Sequence, residues 1–253
     1  MKAFFKIAVN DRADKAASHL QINPLEIKEN GDFVFDGFEV SQAIQTDDSH
    51  VTQQQNVVRN TGHEPLTVNR FSSAFVDEIA AGYHTHDVRL HYCHFCWQGE
   101  GQWRSVTPYE MGIYPVSYHT IGRAGKSLNN IGSWSTERIY PILIIEDKSV
   151  GQSWFFEHEG GFSWEIEIGS QGTPESAELT VDINSVNENM AGASVTLQPG
   201  EQFVTSTALY GSINGDWEDA LRELLNYKRT HGKTLTEPLA FAWLQPQSEA
   251  DLD

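Results

Sequence analysis

At 253 residues, with 39% hydrophobic and 21% charged, the chain has the composition of an ordinary globular protein and not of a disordered one. Its net charge of −18 repels phosphate backbones and anionic headgroups, which argues against nucleic acid and membrane partners and otherwise reads as surface acidity for solubility. No run reaches the ~20 apolar residues of a membrane span. Residues 1–10 are too soon interrupted by charge for a leader, so the expectation is a cytoplasmic protein.

In chain order, residues 1–10 read as a first strand. Residues 32–40 alternate apolar and polar after the turn pair Asn30-Gly31 and read as a half-buried strand. Residues 56–60 and 66–71 flank Thr61-Gly62-His63-Glu64-Pro65, the pattern of a hairpin with a longer loop. Residues 90–97 have strand character. Residues 139–147 form a buried strand that Lys148-Ser149-Val150-Gly151 turns into 152–157. Gly160-Gly161 leads into a run where Phe162, Trp164, Ile166 and Ile168 share one face and Glu165 and Glu167 the other. Residues 178–183 and 193–197 continue the pattern, and Gln198-Pro199-Gly200-Glu201 is a turn before 202–209. Short strands with frequent turns, and no alternation with helices, predict an all-β chain: a large antiparallel β-sandwich. One C-terminal α-helix is expected, because Trp217, Leu221, Leu224 and Leu225 make one apolar stripe. Asp216 is its cap, Glu218 and Asp219 stand in the first turn, Lys228 and Arg229 in the last, and Gly232 follows. The expected organisation is a sandwich over 1–212, a connecting helix over 213–232 and a tail over 233–253.

Few side chains point to chemistry. Cys93 and Cys96 are half a zinc site, but on a strand residues three apart face opposite ways, so packed, reduced thiols are expected. His84 and His86 would share a strand face and, with His91 or His94, could supply three metal ligands; exposed polar residues at a strand edge are the plainer reading, and no metal is assigned. Trp154 and Trp164 lie in alternating strands and belong to the core. Trp134, among Gly132, Ser133, Ser135 and Thr136, has a loop context and reads equally as core or as a sugar-stacking platform, with Glu137 and Arg138 beside it as hydrogen-bonding groups. Glu157, Glu159, Glu165 and Glu167 read as the solvated face of a hairpin. No catalytic residue and no cofactor is assigned.

Four segments in order add a family likeness. They are Phe95-Cys96-Trp97-Gln98-Gly99-Glu100-Gly101-Gln102-Trp103, residues 121–130, residues 132–141, and Pro199-Gly200-Glu201 followed by the helix over 216–229. Over about residues 30–232 the chain resembles the β-sandwich that precedes the catalytic barrel in family-36 glycoside hydrolases, mostly α-galactosidases. The resemblance implies a supersandwich acting as a non-catalytic accessory domain in carbohydrate metabolism, through subunit or sugar contacts. Family members carry their catalytic aspartates on a (β/α)₈ barrel of ~250 residues. Only 233–253 follow the helix here, so inactivity alone is expected. The family's tyrosine- and proline-rich early stretch corresponds to 42–60, rich in Gln, Asp and Thr, and carries no sugar contact over. The implied partners are a galactoside and either a catalytic-barrel chain or further copies of the chain. A free-standing carbohydrate-binding protein is the alternative, and a glycosidase with an unmarked carboxylate pair a third. An enzyme piece would leave Leu239, Phe241 and Trp243 exposed and without a partner. Excess EDTA is expected to leave the thermal unfolding midpoint unchanged; a drop that His86→Ala abolishes would establish a metal.

Overall fold

The computed structural model describes residues 2–10, 26–28, 31–46, 49–82, 86–114, 125–132, 134–172, 177–188 and 194–231. Its strands run in chain order β1 (Lys2–Phe4), β2 (Ile7–Val9), β3 (Glu26–Ile27), β4 (Phe33–Phe35), β5 (Phe38–Thr46) and β6 (Val51–Asn60). Then follow β7 (Leu66–Ile79), β8 (Val88–Cys96), β9 (Gly99–Val106), β10 (Gly125–Asn130), β11 (Ile139–Asp147) and β12 (Gln152–Glu159). The last are β13 (Trp164–Gln171), β14 (Glu178–Asn187), β15 (Val195–Leu197), β16 (Gln202–Val204) and β17 (Thr207–Asn214), before helix α1 (Trp217–His231).

They form two antiparallel sheets. A seven-stranded sheet has the order β1-β7-β14-β13-β10, with β2 and β15 also on β7. A ten-stranded sheet has the order β3-β4-β5-β6-β17-β12-β11-β8-β9, with β16 on β6. The all-β sandwich with one C-terminal helix is as expected. Among the described residues no helix is long and apolar enough to cross a membrane.

Three expected local connections differ. Residues 32–40 are two strands: Asp36-Gly37 turns β4 back on β5, pairing Phe35 with Phe38, with Gly37 at φ +81°. Residues 56–60 and 66–71 are no hairpin, since β6 lies in the ten-stranded sheet and β7 in the seven-stranded one. Gly160-Gly161 likewise carries the chain from β12 in one sheet to β13 in the other. The expected β11–β12 hairpin does form, with Ile142 opposite Glu157 and Asp147 opposite Gln152.

The facing sheets enclose two apolar clusters. One holds Leu143, Ile145, Trp154, Phe156, Trp164, Ile166, Ile168, Val181 and Ile183, which confirms Trp154 and Trp164 as core residues. The other holds Phe35, Phe38, Val40, Val58, Val68 and Phe71. Between them β6 and β7 carry a buried polar seam. Asn56 donates to the carbonyls of Ser72 (2.8 Å) and Ser73 (2.9 Å), and Gln54 takes the hydroxyl of Tyr210 at 2.9 Å. These buried polar groups satisfy one another, which removes the penalty of interrupting an apolar core.

An apolar patch on the outer face of the ten-stranded sheet, over β6, β17, β12 and β11, lies under α1. Asp216 caps the helix, accepting from the amides of Glu218 and Asp219, both at 2.9 Å. Ala220 and Leu224 are buried, and Trp217, Leu221 and Tyr227 pack with them over Val51, Ile142, Ile144, Phe155 and Leu209. Leu225, expected in this stripe, is 39% exposed; one residue past Leu224 it has rotated by ~100° off the contact line. The strand β17 passes so close to the chain before β6 that a Cβ on Gly211 would lie 1.9 Å from the carbonyl oxygen of His50. Only glycine fits there.

Two buried titrating groups sit back to back on β12. Glu157 faces α1, where Lys228 binds one carboxylate oxygen at 2.5 Å and the other oxygen has no partner. Burial, with Glu159 nearby and Lys228 opposing, raises its carboxyl from 4.5 to about 7. His158 points inward, 1% exposed, with neither ring nitrogen partnered, and burial holds it down at about 4. The raised carboxyl contributes stability in full below 4.5, and this is lost as pH rises through about 7. The depressed imidazole contributes in full above 6.5, and this is lost as pH falls through about 4. Chemical denaturation of Glu157→Gln against the parent should therefore show the variant gaining about 3 kcal/mol between roughly pH 4 and pH 8. A constant difference would contradict a raised carboxyl.

Candidate functional site

The sandwich has a corner where two connections change sheets side by side. One leaves β10, at the edge of the seven-stranded sheet, for β11 in the ten-stranded one. The other, residues 160–163, joins β12 to β13 in the opposite direction. The two are tied together: Gly132 donates its amide to Ser163 Oγ at 2.9 Å, and Trp164 Nε1 donates to the carbonyl of Ser135 at 2.6 Å. A chain turning such a corner cannot bury both of its faces, and large apolar side chains remain outside. Ile131 and Trp134 are each 49% exposed and Phe162 is 76% exposed.

Trp134 is nonetheless fixed. Its Nε1 donates to Thr136 Oγ1 at 3.0 Å, and its carbonyl accepts from the Asn130 side-chain amide and from the Glu137 backbone amide, the latter at 3.2 Å. The contact from Glu137 closes the turn, and the next residue, Arg138, accepts at its carbonyl from the amide of Phe95 on β8 at 2.9 Å. The turn is thereby fastened at both ends, and the indole is held in place while half of its surface stays in solvent.

Beside this turn lies a shallow cleft lined by polar residues of β10, β13, β14 and the 160–163 connection. Asn130, Ser163, Glu165, Asn184, Ser185 and Asn187 supply its polar wall, with Ile131 and Trp164 as the apolar part. Glu165 is 5% exposed and its carboxylate is filled with donors: Ser127 Oγ at 2.6 Å, Asn187 Nδ2 at 2.5 Å and Asn184 Nδ2 at 3.2 Å. The network continues along the outer face of the seven-stranded sheet. Arg70 binds Glu167 at 2.6 Å and Asp182 at 2.7 Å, and Asp182 also accepts from Ser72 Oγ at 2.5 Å. Burial pulls the Arg70 guanidinium down, but Asp182 and Glu167 outweigh it and hold the pKa above its ordinary value.

The acidic cluster expected as one solvated face is therefore divided. Glu157 and Glu159 belong to the ten-stranded sheet, Glu165 and Glu167 to the seven-stranded one. Glu157 and Glu165 are buried, and of the four only Glu159 is an exposed carboxylate. Phe162, expected on the buried face with Trp164, precedes the strand and is exposed.

Of the sequence-predicted site residues, Trp134, Glu137 and Arg138 are all exposed on the one turn, and none of the three lines the cleft. Sequence reasoning missed the amides. Asn130, Asn184 and Asn187 sit in strands, where Asn is depleted, and that anomaly was the available signal. The other constellation does not assemble. His84 lies outside the described residues. His86 is in a turn and not on a strand. His91 is buried under α1, 3.0 Å from Glu146 and stacked on Trp217, with burial lowering its pKa. His94 is on the opposite face of β8, beside Tyr92. Cys93 is buried, Cys96 is exposed, and both are free; burial raises the Cys93 thiol. Among the described residues no group of three or more His, Cys, Asp or Glu side chains is placed to hold a metal.

No protein-family model matches the sequence, and no curated protein matches it. The likeness lies in the fold. A GH36 α-galactosidase AgaA variant from Geobacillus stearothermophilus, in complex with stachyose, superimposes with a TM-score of 0.60 at 15% identity, over 91% of this chain and 30% of that one. A second AgaA complex, with 1-deoxygalactonojirimycin, gives 0.59 at 16% identity over 77% of this chain and 24% of that one. The α-galactosidase of Lactobacillus brevis gives 0.59 at 12% identity over 90% of this chain and 28% of that one. The chain thus has the fold of one part of these enzymes and spans 24–30% of their length.

The donor-filled state of Glu165 has a measurable consequence. Glu165→Ala strands three donors and is expected to cost about 3 kcal/mol in denaturant unfolding, whereas Glu137→Ala on the exposed turn stays within about 0.5 kcal/mol. Equal effects would return Glu165 to a solvated face.

Proposed function

We propose that this chain is a non-catalytic accessory domain of the α-galactosidase type, which contacts a galactoside through Trp134 and works beside a catalytic barrel. The observation that carries the reading is Trp134 itself: an indole 49% exposed yet fixed by hydrogen bonds at its ring nitrogen and its carbonyl. An aromatic face immobilised before binding loses little entropy when a pyranose stacks on it. Glu137 and Arg138, exposed on the same turn, are the proposed hydrogen-bonding groups at the sugar's edge. The fold shared with enzymes whose structures hold stachyose and 1-deoxygalactonojirimycin supports a galactoside over other sugars. In this reading residues 1–212 are the sandwich and 213–232 the connection toward the barrel. Free thiols at Cys93 and Cys96 suit a reducing, cytoplasmic setting.

A free-standing carbohydrate-binding protein is the second reading. It draws support from α1, whose apolar face is covered by the chain's own ten-stranded sheet and needs no further partner. Leu239, Phe241 and Trp243, which would separate the two readings, lie outside the described residues. Both readings share the same contact at Trp134.

Ligand-observed NMR with melibiose and raffinose, followed over a day, tests that contact. Saturation transfer to the galactosyl protons without hydrolysis is expected, abolished in Trp134→Ala and weakened several-fold in Glu137→Ala and Arg138→Ala. Absence of transfer in the parent would remove the sugar contact and leave a purely structural domain. Hydrolysis that a single Glu→Gln change abolishes would replace both readings with an enzyme.

A further inference from the structure

One long strand of the ten-stranded sheet is covered along only part of its outer edge. β4 pairs with β5 at Phe38, Glu39 and Val40, and among the described residues nothing pairs with residues 41–46 on that side. On its other side β5 runs in continuous register with β6, from Phe38 opposite Asn60 to Thr46 opposite Thr52, so the open stretch is held extended without a bulge.

The direction of its backbone groups follows from β6. The Asn56 amide donates to Thr205 Oγ1 at 2.9 Å and the Asn56 carbonyl accepts from the Thr205 amide at 2.9 Å, so Asn56 faces away from β5. Strand alternation turns Gln53 and Gln55 toward β5, opposite Gln45 and Ala43. Gln42, Ile44 and Thr46 are left with their amides and carbonyls directed at the open edge. An edge of this kind is a template for another strand unless charge, proline or a bulge blunts it. Residues 41–46, Ser-Gln-Ala-Ile-Gln-Thr, contain no charge, no proline and no glycine, in a chain that is 21% charged. The far edge of the same sheet is blunted: β9 carries Glu100 and Arg104 and is kinked at Gly101, with φ +75°. On β5 an apolar side chain stands at the middle of the open stretch, Ile44, 47% exposed.

We propose that this edge is a homodimer contact, in which β5 pairs antiparallel with β5 of a second copy, Ile44 opposite Ile44. The outward-facing residues are symmetric about Ile44, so Gln42 meets Thr46 of the other copy and each pair can exchange both of its backbone hydrogen bonds. The partner strand ends at Thr46 opposite Gln42, and therefore stops short of β4. The two Ile44 side chains lie side by side on one face and cover each other. A charged peptide would find no counter-charge on residues 41–46, whereas a second copy brings the same uncharged stretch although each chain carries −18. The two ten-stranded sheets become one continuous sheet. The proposal is independent of the sugar contact at Trp134.

Sedimentation velocity of the full chain over a concentration series, in about 0.5 M salt to screen the net charge, tests it. A reversible dimer is expected. Ile44→Lys and Ile44→Glu should each raise its dissociation constant at least about tenfold, since like charges then stand directly opposite. Their unfolding midpoints should match the parent, because the side chain is half exposed. An equimolar mixture of the two variants should regain the dimer, as opposite charges then meet at the same pair. Ser105→Lys, on the β9 edge, should leave the dimer intact. A parent that stays monomeric throughout would overturn the proposal. A dimer indifferent to both Ile44 variants would place the contact elsewhere, and variants that dissociate but do not recover on mixing would contradict the pairing of Ile44 with itself.

Discussion

The outer face of the seven-stranded sheet buries carboxylates, and a buried carboxylate must be supplied with donors. Asp182 is 2% exposed and Glu165 is 5% exposed. Each is met by side chains on neighbouring strands: Arg70 and Ser72 for Asp182, Ser127, Asn184 and Asn187 for Glu165. This requirement fixes the register of β7, β14, β13 and β10 on their polar side, as the apolar cluster fixes it on the inner side. It also brings Asn184 and Asn187 together on Glu165 near the corner where the chain changes sheets, beside Asn130, whose side-chain amide anchors the Trp134 turn.

The ten-stranded sheet adds an apolar patch on its outer face, over β6, β17, β12 and β11, which α1 covers. The carboxylates buried there are also paired: Lys228 meets Glu157, and His91 meets Glu146 under the ring of Trp217. The two outer surfaces therefore differ in part: one has an apolar patch under the chain's own helix, and the other presents a fixed polar lattice ending at exposed aromatic residues. The proposed sugar contact lies on the second.

Much of the architecture was legible in the sequence. The β11–β12 hairpin was marked by a long apolar run, a four-residue turn and a second apolar run. The helix was marked by its Asp216 cap, its acidic first turn and its stripe. What could not be read was which strand–turn–strand units change sheets. Residues 61–65 and 160–161 have the composition of hairpin turns, and in the structure both connect opposite sheets. Strand periodicity reports which side chains share a face and is silent about which sheet a strand joins. The error over the acidic cluster followed directly, since Glu157 and Glu165 look like neighbours only if β12 pairs with β13. Asp36-Gly37 was a readable turn signal set inside what looked like one strand. At the site, the glycine and serine context of Trp134 marked a loop but left core and exposed platform equally open, whereas the donors around Glu165 converge only in three dimensions.

The most direct test of the sugar platform is a crystal structure of the protein with raffinose. The galactosyl ring is predicted to lie flat against the Trp134 indole, with Glu165 unchanged. A galactosyl ring bound elsewhere on the sandwich, with Trp134 bare, would contradict it.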